Sequence, residues 1–485
     1  MSWFLVVLCL IVVFLPLPFG GNIEWAIFGF ELSVFVLCLF YLVASGSKNS
    51  KSGHQLEEKK LIPLIPWCLI IIFFVAGLLQ IIPLPATAIR QLSPAGYDWR
   101  QTLVTTGLVE QARLKWQTIS LSPADSLYEL VKYLAYGLFA FLLARAIDTR
   151  KKAVALTLTL IGAGVFQSLY GLSEHFSGSH RIFTWVNRYY AGSAFGTFVN
   201  RDHYSAFLEM IFPLSLGYFL ARADYFSWPS GLSLRQKVAW FGQEKLQKSI
   251  LFILPPLIIG VGLFFSRCRS GIIIFLMTFF LILLLLSVRS ITGKRKTERR
   301  LVNVIVLVVL VGVILIGIQP ILERFTNQSL FDESRWLYYQ YTLGLIKDYP
   351  WLGSGLGTYV KAINHYLGKD FYAIIDHAHN DYLEMAGEAG LVGGGALILG
   401  GLLLFGLGVK RYFKTDDSLT SGISLGAMMG VLALFLHSLT DFSLRMPGNA
   451  VTWLSLFVLC LKLPQLGSEK YVSEDLGEDE GDRYD

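Results

Sequence analysis

The stretch "HAHNDYLEMAGEAGLVGGGALILGGLLLFGLG", His377 to Gly408, sets the terms for the whole chain. It gathers two histidines, an asparagine and three carboxylates at the start of a helix-like segment. It then runs without a charge from Leu391 to Gly408. An apolar run of about 20 residues crosses ~30 Å of hydrocarbon as a helix, and its glycines let such a helix pack closely on neighbours. The expectation is a membrane helix with ionisable groups at its mouth.

Runs of this kind recur along the chain. Of 485 residues, 54% are hydrophobic and only 16% charged, below the roughly one quarter of soluble domains. The runs are continuously apolar rather than alternating, which excludes a membrane β-barrel. The predicted fold is therefore an all-α integral membrane protein. About twelve spans fall roughly at 3–19, 24–45, 61–83, 128–146, 153–173, 203–222, 248–266, 270–288, 301–319, 387–409, 420–437 and 447–463. The first run lacks a basic leader and a small-residue cleavage site, so it reads as a span rather than a signal peptide. Cys9, Cys38, Cys68 and Cys460 lie in apolar runs and Cys268 in a short hairpin, with no disulfide or zinc spacing. The formal charge of +6 sits in loops between spans and does not point to nucleic acid.

Lysine and arginine placement gives orientation. Lys48, Lys51, Lys59, Lys60, Arg145, Arg150, Lys151, Lys152, Arg235, Lys237, Lys245, the run Arg289 to Arg300, Lys410, Arg411 and Lys414 fall on one side if twelve spans alternate. That side is expected to be cytoplasmic, with both termini. The acidic tail "SEDLGEDEGDRYD" reads as solvated and disordered. The long loops at about 84–127, 174–202 and 320–386 face outward, as does the hairpin "SRCRSG", Ser266 to Gly271. The expected organisation is 1–127, N-terminal spans and first outer loop; 128–319, central spans with the arginine hairpin; 320–386, a large helical outer loop between spans nine and ten; 387–463, C-terminal spans; and 464–485, the tail.

Within the large loop, "DESRWLYYQYTLGLIKDYP" predicts an amphipathic helix. Asp332 or Ser334 would cap it, and Trp336, Tyr339, Leu343 and Ile346 would form its apolar stripe. "WLGSGLGTY" reads as a turn; Gly353, Gly355 and Gly357 lack the βαβ setting of a dinucleotide site. Asp381 and Glu384 have capping-box spacing, which places His379 and Asn380 just before a helix. A histidine titrates near neutrality and suits general-base work. Arg335, Arg267 and Arg269 are candidates to converge on it, because arginine forks onto phosphate oxygens. The set suits a substrate with a diphosphate head and a lipid tail. His365 and His377 read as structural or solvated. Asp376, His377, His379 and Asp381 also raise a metal reading, set aside because no second cluster completes a shell. Arg201 and His203, at the mouth of the sixth span, line an acceptor or lipid path or anchor a helix start. His437 and Asp441 read similarly, or as a mutual hydrogen bond.

"HNDYLEMAGEAGLVG" fits the His-Asn, nine residues, Gly, two residues, Gly pattern of the O-antigen ligase and polymerase superfamily, at His379, Asn380, Gly390 and Gly393. The upstream "SRWLYYQYTLGLIKDYPWLGSGLGTY", with an arginine, then a tyrosine, then a Pro-x-x-Gly-x-Gly turn, resembles that family's loop segment. "GTFVNRDHYSAFLEM", "HSLTDFSLRMPGNA" and the hairpin resemble further family segments, over roughly 190–450. The resemblance implies a bacterial inner-membrane, GT-C-type glycosyltransferase. It would take a glycan from undecaprenyl diphosphate on the periplasmic face, without metal, cofactor or nucleotide sugar, and invert the anomeric carbon. His379 would activate the acceptor hydroxyl. Arg335 and one hairpin arginine, Arg269 favoured, would bind the diphosphate, with Arg267, Asn380, Arg201 and His203 as substrate-binding candidates. The acceptor is lipid A-core or a growing polysaccharide. A polymerase and a protein O-oligosaccharyltransferase share this chemistry. A lipid-linked glycan transporter is the alternative of another class, and mid-span regions nearly free of charge, Glu31 and Glu209 apart, speak against it.

Overall fold

The computed structural model describes residues 3–49, 63–108, 110, 115–222, 244–291, 333–368 and 374–477. Its helices in chain order are α1 (Trp3–Phe14), α2 (Glu24–Asn49), α3 (Leu64–Ile81), α4 (Ala86–Leu92), α5 (Pro94–Thr105), α6 (Pro123–Ala146), α7 (Arg150–Ser177), α8 (Arg201–Ala221), α9 (Glu244–Phe265), α10 (Arg269–Ile291), α11 (Glu333–Asp348), α12 (Tyr359–Ile363), α13 (Asp381–Phe413), α14 (Ser418–His437) and α15 (Pro447–Gly477). Strand structure among the described residues is two antiparallel two-residue pairs, Leu84–Pro85 with Trp116–Gln117 and Arg181–Ile182 with Trp185–Val186. The chain is an all-α integral membrane protein.

Nine described helices are long and apolar enough to cross a membrane: α2, α3, α6, α7, α8, α10, α13, α14 and α15. Two further predicted spans are shorter apolar helices, Trp3–Phe14 and Leu251–Phe265. The predicted span at 301–319 lies outside the described residues.

The core is organised around α8, in which every residue from His203 to Ala221 is buried. Its main neighbour is α14. Gly422, Gly426 and Gly430 recur every fourth residue and so share one helix face. Added Cβ atoms there would sit 2.4 Å from the Gly217 carbonyl, 2.4 Å from that of Pro213 and 2.3 Å from that of Met210. This small-residue stripe brings two backbones together without hydrocarbon between them. It also sets the N-terminal end of α8 beside the C-terminal end of α14, and these ends carry Arg201, Asp202, His203 and His437.

A second, smaller core lies in the segment before α13: Leu345, Tyr349, Tyr359, Ala362, Ile363, Ile375 and Ala378. It corrects the predicted stripe of α11. Trp336 and Leu343 are 62% and 54% exposed, whereas Thr342, Leu345 and Tyr349 are buried. Apolar and aromatic residues surround this helix, so period alone selects no face. Thr342 is turned inward by hydrogen bonds to the Tyr338 carbonyl and the Tyr359 hydroxyl, each 2.7 Å. The predicted cap Asp332 lies outside the described residues.

Candidate active site

The site forms where the turn between α14 and α15, Ser438 to Met446, meets the start of α13. The meeting is fixed by backbone. The Asp381 amide donates to the carbonyls of Ser438 (2.9 Å) and Asp441 (3.3 Å). The Asp381 carboxylate accepts from the Ser438 hydroxyl (2.8 Å) and the Leu444 amide (3.1 Å). Asp381 is thus not the cap expected from its spacing to Glu384. The cap is Asn380, whose side-chain oxygen accepts from the amides of Tyr382 and Leu383, each 3.0 Å. Its Nδ2 donates to the Leu439 carbonyl at 2.9 Å. Cap and turn are therefore one unit.

His379 stands immediately before that cap with φ 49°, left-handed and uncommon for a side-chain-bearing residue. Ala378 before it is fully buried, and Tyr339 donates its hydroxyl to the His379 carbonyl at 3.1 Å. The imidazole Nδ1 lies 3.0 Å from Oδ1 of Asp441, which is fully buried. An ionised carboxylate only accepts, so Nδ1 carries a proton, and in the neutral ring the lone pair is on Nε2. Burial alone would raise the Asp441 carboxyl, but His203, His379 and His437 outweigh it and hold it well below the usual carboxylate range. His203 Nε2 approaches Oδ2 at 3.4 Å, and the Ser443 hydroxyl donates to it at 3.2 Å.

Arg335, from the first turn of α11, donates to the Thr440 carbonyl at 2.6 Å and meets the Asp202 carboxylate at 3.3 Å. Burial disfavours its charge, but Asp202 and Asp441 outweigh that and raise its pKa. Arg201 lies across Asp202 at 3.8 Å, bonds the Ser193 hydroxyl at 3.2 Å and covers the Tyr190 ring at 5.3 Å.

The hairpin reaches this cluster through Cys268, which interacts with Asp202 and which no local sequence pattern singles out. Burial and the neighbouring Asp202 push its thiol well up. Arg267 occupies the turn with φ 54°, and its Nη1 is 3.5 Å from where a Cβ on Gly192 would stand. Arg269 opens α10.

So the structure gathers His379, Asn380, Arg335, Arg201 and His203 around Asp202 and Asp441. It ties Arg267 to the loop before α8 and sets Arg269 at the hairpin's helix start. The mutual hydrogen bond of His437 and Asp441 runs through backbone, with the Asp441 amide donating to the His437 carbonyl at 3.0 Å, while their side chains stay 4.0 Å apart. His437 Nδ1 instead meets Glu209 at 2.8 Å, both fully buried. His377, expected to be solvated or structural, pairs with Glu384 at 2.8 Å and stacks on Phe442. The four residues of the metal reading diverge, with His377 on Glu384, His379 on Asp441, Asp381 on Ser438, and Asp376 exposed.

The glycines of the two motifs lock together. The turn after α11 pairs with a kink in α13: Ser354 N to Gly387 O 2.9 Å, Gly355 N to Glu388 O 3.0 Å, Leu391 N to Pro350 O 2.8 Å, and Val392 N to Trp351 O 3.1 Å. Gly390 (φ 69°) makes the kink, and Gly353 (φ 72°) faces it. A Cβ on either would lie 2.2 Å from a carbonyl oxygen opposite. Gln80 bridges both strands of this contact through the carbonyls of Leu352 (2.5 Å) and Glu388 (2.7 Å).

Chemically, the arrangement offers an oriented imidazole with an unshared lone pair beside a permanently charged guanidinium. That combination can take a proton from a hydroxyl and stabilise an anion.

No curated protein matches the chain in a sequence comparison. Residues 256–398 match the family described as O-antigen ligase. The match spans the hairpin, Arg335, His379 and Gly390, and is narrower than the 190–450 suggested by the motifs. It supports ligase- or polymerase-type work in surface-polysaccharide assembly. The domain at residues 256–398 thus supports membership of the O-antigen ligase superfamily.

Proposed function

We propose that the protein transfers a glycan from undecaprenyl diphosphate to an acceptor hydroxyl, lipid A-core or a growing polysaccharide, at the periplasmic face of the bacterial inner membrane. Both termini lie in the cytoplasm. The observation that carries this is the His379–Asp441 contact at 3.0 Å, beside an arginine anchored on the adjoining Thr440 carbonyl. In this reading His379 Nε2 takes the hydroxyl proton as the acceptor oxygen attacks C1 of the donor sugar. The bond from C1 to the diphosphate oxygen breaks, and its electron pair leaves with the diphosphate. One such displacement inverts C1 and needs no metal. Arg335 and Arg269 hold the diphosphate, and Arg267 and Arg201 extend the cationic rim. Asn380 and His203 serve by position, the first as the cap beside His379 and the second against Asp441.

The test uses purified protein in nanodiscs with undecaprenyl-diphosphate oligosaccharide, with and without lipid A-core. Product on lipid A-core identifies a ligase, and a ladder from donor alone a polymerase. Folded protein that leaves the donor intact in both overturns the proposal. Activity lost only on adding EDTA would overturn the metal-free mechanism.

A further inference from the structure

Two residues before His379, the chain repeats the arrangement that holds it. His377 Nδ1 lies 2.8 Å from Oε1 of Glu384, which is itself buried. Glu384 is braced in turn by Arg445 Nε at 3.1 Å and by the Ala378 amide at 2.8 Å. The two imidazoles share one partition. His377 stacks flat on Phe442 at 3.9 Å and 19°, while His379 meets the same ring edge-on at 5.0 Å, and His203 at 4.6 Å. The side chains of His377 and His379 are almost equally open, at 24% and 22%. Each uses Nδ1 on its carboxylate.

Their electrostatic settings differ. Asp441 is shared by His379, His203, His437 and Ser443. The groups that act on His377 are Glu384 from α13, Arg445 from the turn, Asp376 from its own loop and His203 from α8. Burial opposes its charge, but Glu384 outweighs burial, and the imidazole takes its proton above the usual value. A base at His379 must be unprotonated, and a leaving diphosphate needs positive charge. Arg335 already shares its charge with Asp202. Two histidines in different settings suit these opposite needs.

We propose that protonated His377 binds the diphosphate of the lipid-linked donor, donating a charge-assisted hydrogen bond from Nε2 to a phosphate oxygen. This rests on the reading of the site as a glycan transferase using a lipid diphosphate. During transfer the hydroxyl proton goes to His379, the electron pair of the broken C1–O bond goes to the diphosphate, and His377 keeps its proton.

The test is binding rather than turnover. Glycan-free polyprenyl diphosphate is titrated onto wild type, His377→Gln, His377→Lys and His379→Gln in phosphatidylcholine nanodiscs from pH 5.5 to 8.5. Inorganic diphosphate serves as a separate ligand. Wild type and His379→Gln should bind the lipid diphosphate roughly tenfold more weakly at the alkaline end. His377→Gln should bind weakly throughout. His377→Lys keeps its charge at every pH, should bind tightly throughout, and reports any titration of the ligand itself. Should His377→Gln fold poorly, the comparison of His377→Lys with wild type decides alone. Equal affinity and equal pH profiles for wild type and both His377 variants overturn this proposal and leave the transferase reading standing. A His377 effect seen only with inorganic diphosphate also overturns it. Failure of folded wild type to bind polyprenyl diphosphate at any pH overturns both readings.

Discussion

The carboxylate of Asp441 holds Nδ1 of His379 at 3.0 Å across 62 residues of sequence. A buried acceptor on one ring nitrogen fixes the tautomer and aims the other nitrogen outward, the division of labour seen wherever a histidine works as a base. Asp441→Asn removes the negative charge and offers an NH2 donor that favours the other tautomer. We expect glycan transfer to fall by roughly a hundred- to ten-thousandfold, with the protein still in the membrane. Transfer at the wild-type rate, measured with the purified variant, would remove Asp441 from the mechanism.

Arg335 makes two divergent contacts, to the Thr440 carbonyl and to Asp202. A lysine keeps the charge but cannot fork. Arg335→Lys should lose on the order of a hundredfold in kcat/KM, and Arg335→Ala more. Equal activity of the lysine variant and wild type would show that charge alone suffices.

Glu209 and His437 form a fully buried pair between α8 and α14. Breaking a buried pair from one side typically costs about 3–5 kcal/mol, because the remaining charge is stranded. Glu209→Leu should therefore lower the unfolding temperature sharply. A joint Glu209→Leu and His437→Leu replacement should recover much of the loss. Thermal melting of the detergent-solubilised proteins checks both, and an unchanged single variant would argue against a charged pair.

Gly390→Ala tests the lock between the two motifs. The positive φ alone costs about 1–3 kcal/mol, and the new Cβ meets the Trp351 carbonyl. The expected outcome is loss of folded protein on size-exclusion chromatography, not a folded but inactive enzyme.

The pH dependence of stability has two limbs with opposite signs. Asp441 has a depressed folded pKa, so its stabilisation is present above about 3.9 and is lost as pH falls toward the lower folded value. His377 has a raised folded pKa. Its stabilisation is complete below about 6.5 and is lost as pH rises through the folded value. Melting temperature against pH should show both limbs in wild type, with the alkaline limb flattened in His377→Gln. An unchanged alkaline limb would count against the His377–Glu384 pair.

The membrane helices were legible because apolar length is a property of contiguous residues. Arg335 and His379 stood out because they fall in a spaced motif with glycines. Their partners did not. Asp441 lies 62 residues from His379 and Asp202 lies 133 from Arg335, and no local pattern announces pairings of that kind. The stretch "HSLTDFSLR" was the available signal, yet it gave no reason to set Phe442 between three histidines. The cap at Asn380 was misassigned to Asp381 because both residue types cap helices. Only the Ser438 and Leu444 contacts show that Asp381 is already engaged. The buried face of α11 was missed because its aromatic residues surround the helix, leaving hydroxyl pairing at Thr342 to decide.

The first turns of α13, between the cap at Asn380 and the kink at Gly390, form a spacer of set length and angle. Ten helical residues rise about 15 Å, and one more would swing the preceding residue by about 100°. The histidine therefore sits at one height and one bearing relative to the glycine joint where the helix changes course. A one-residue insertion there would leave every side chain of the site intact, yet point the imidazole away from its carboxylate. The count of residues between His-Asn and Gly is, in that sense, a ruler that sets the imidazole against Asp441.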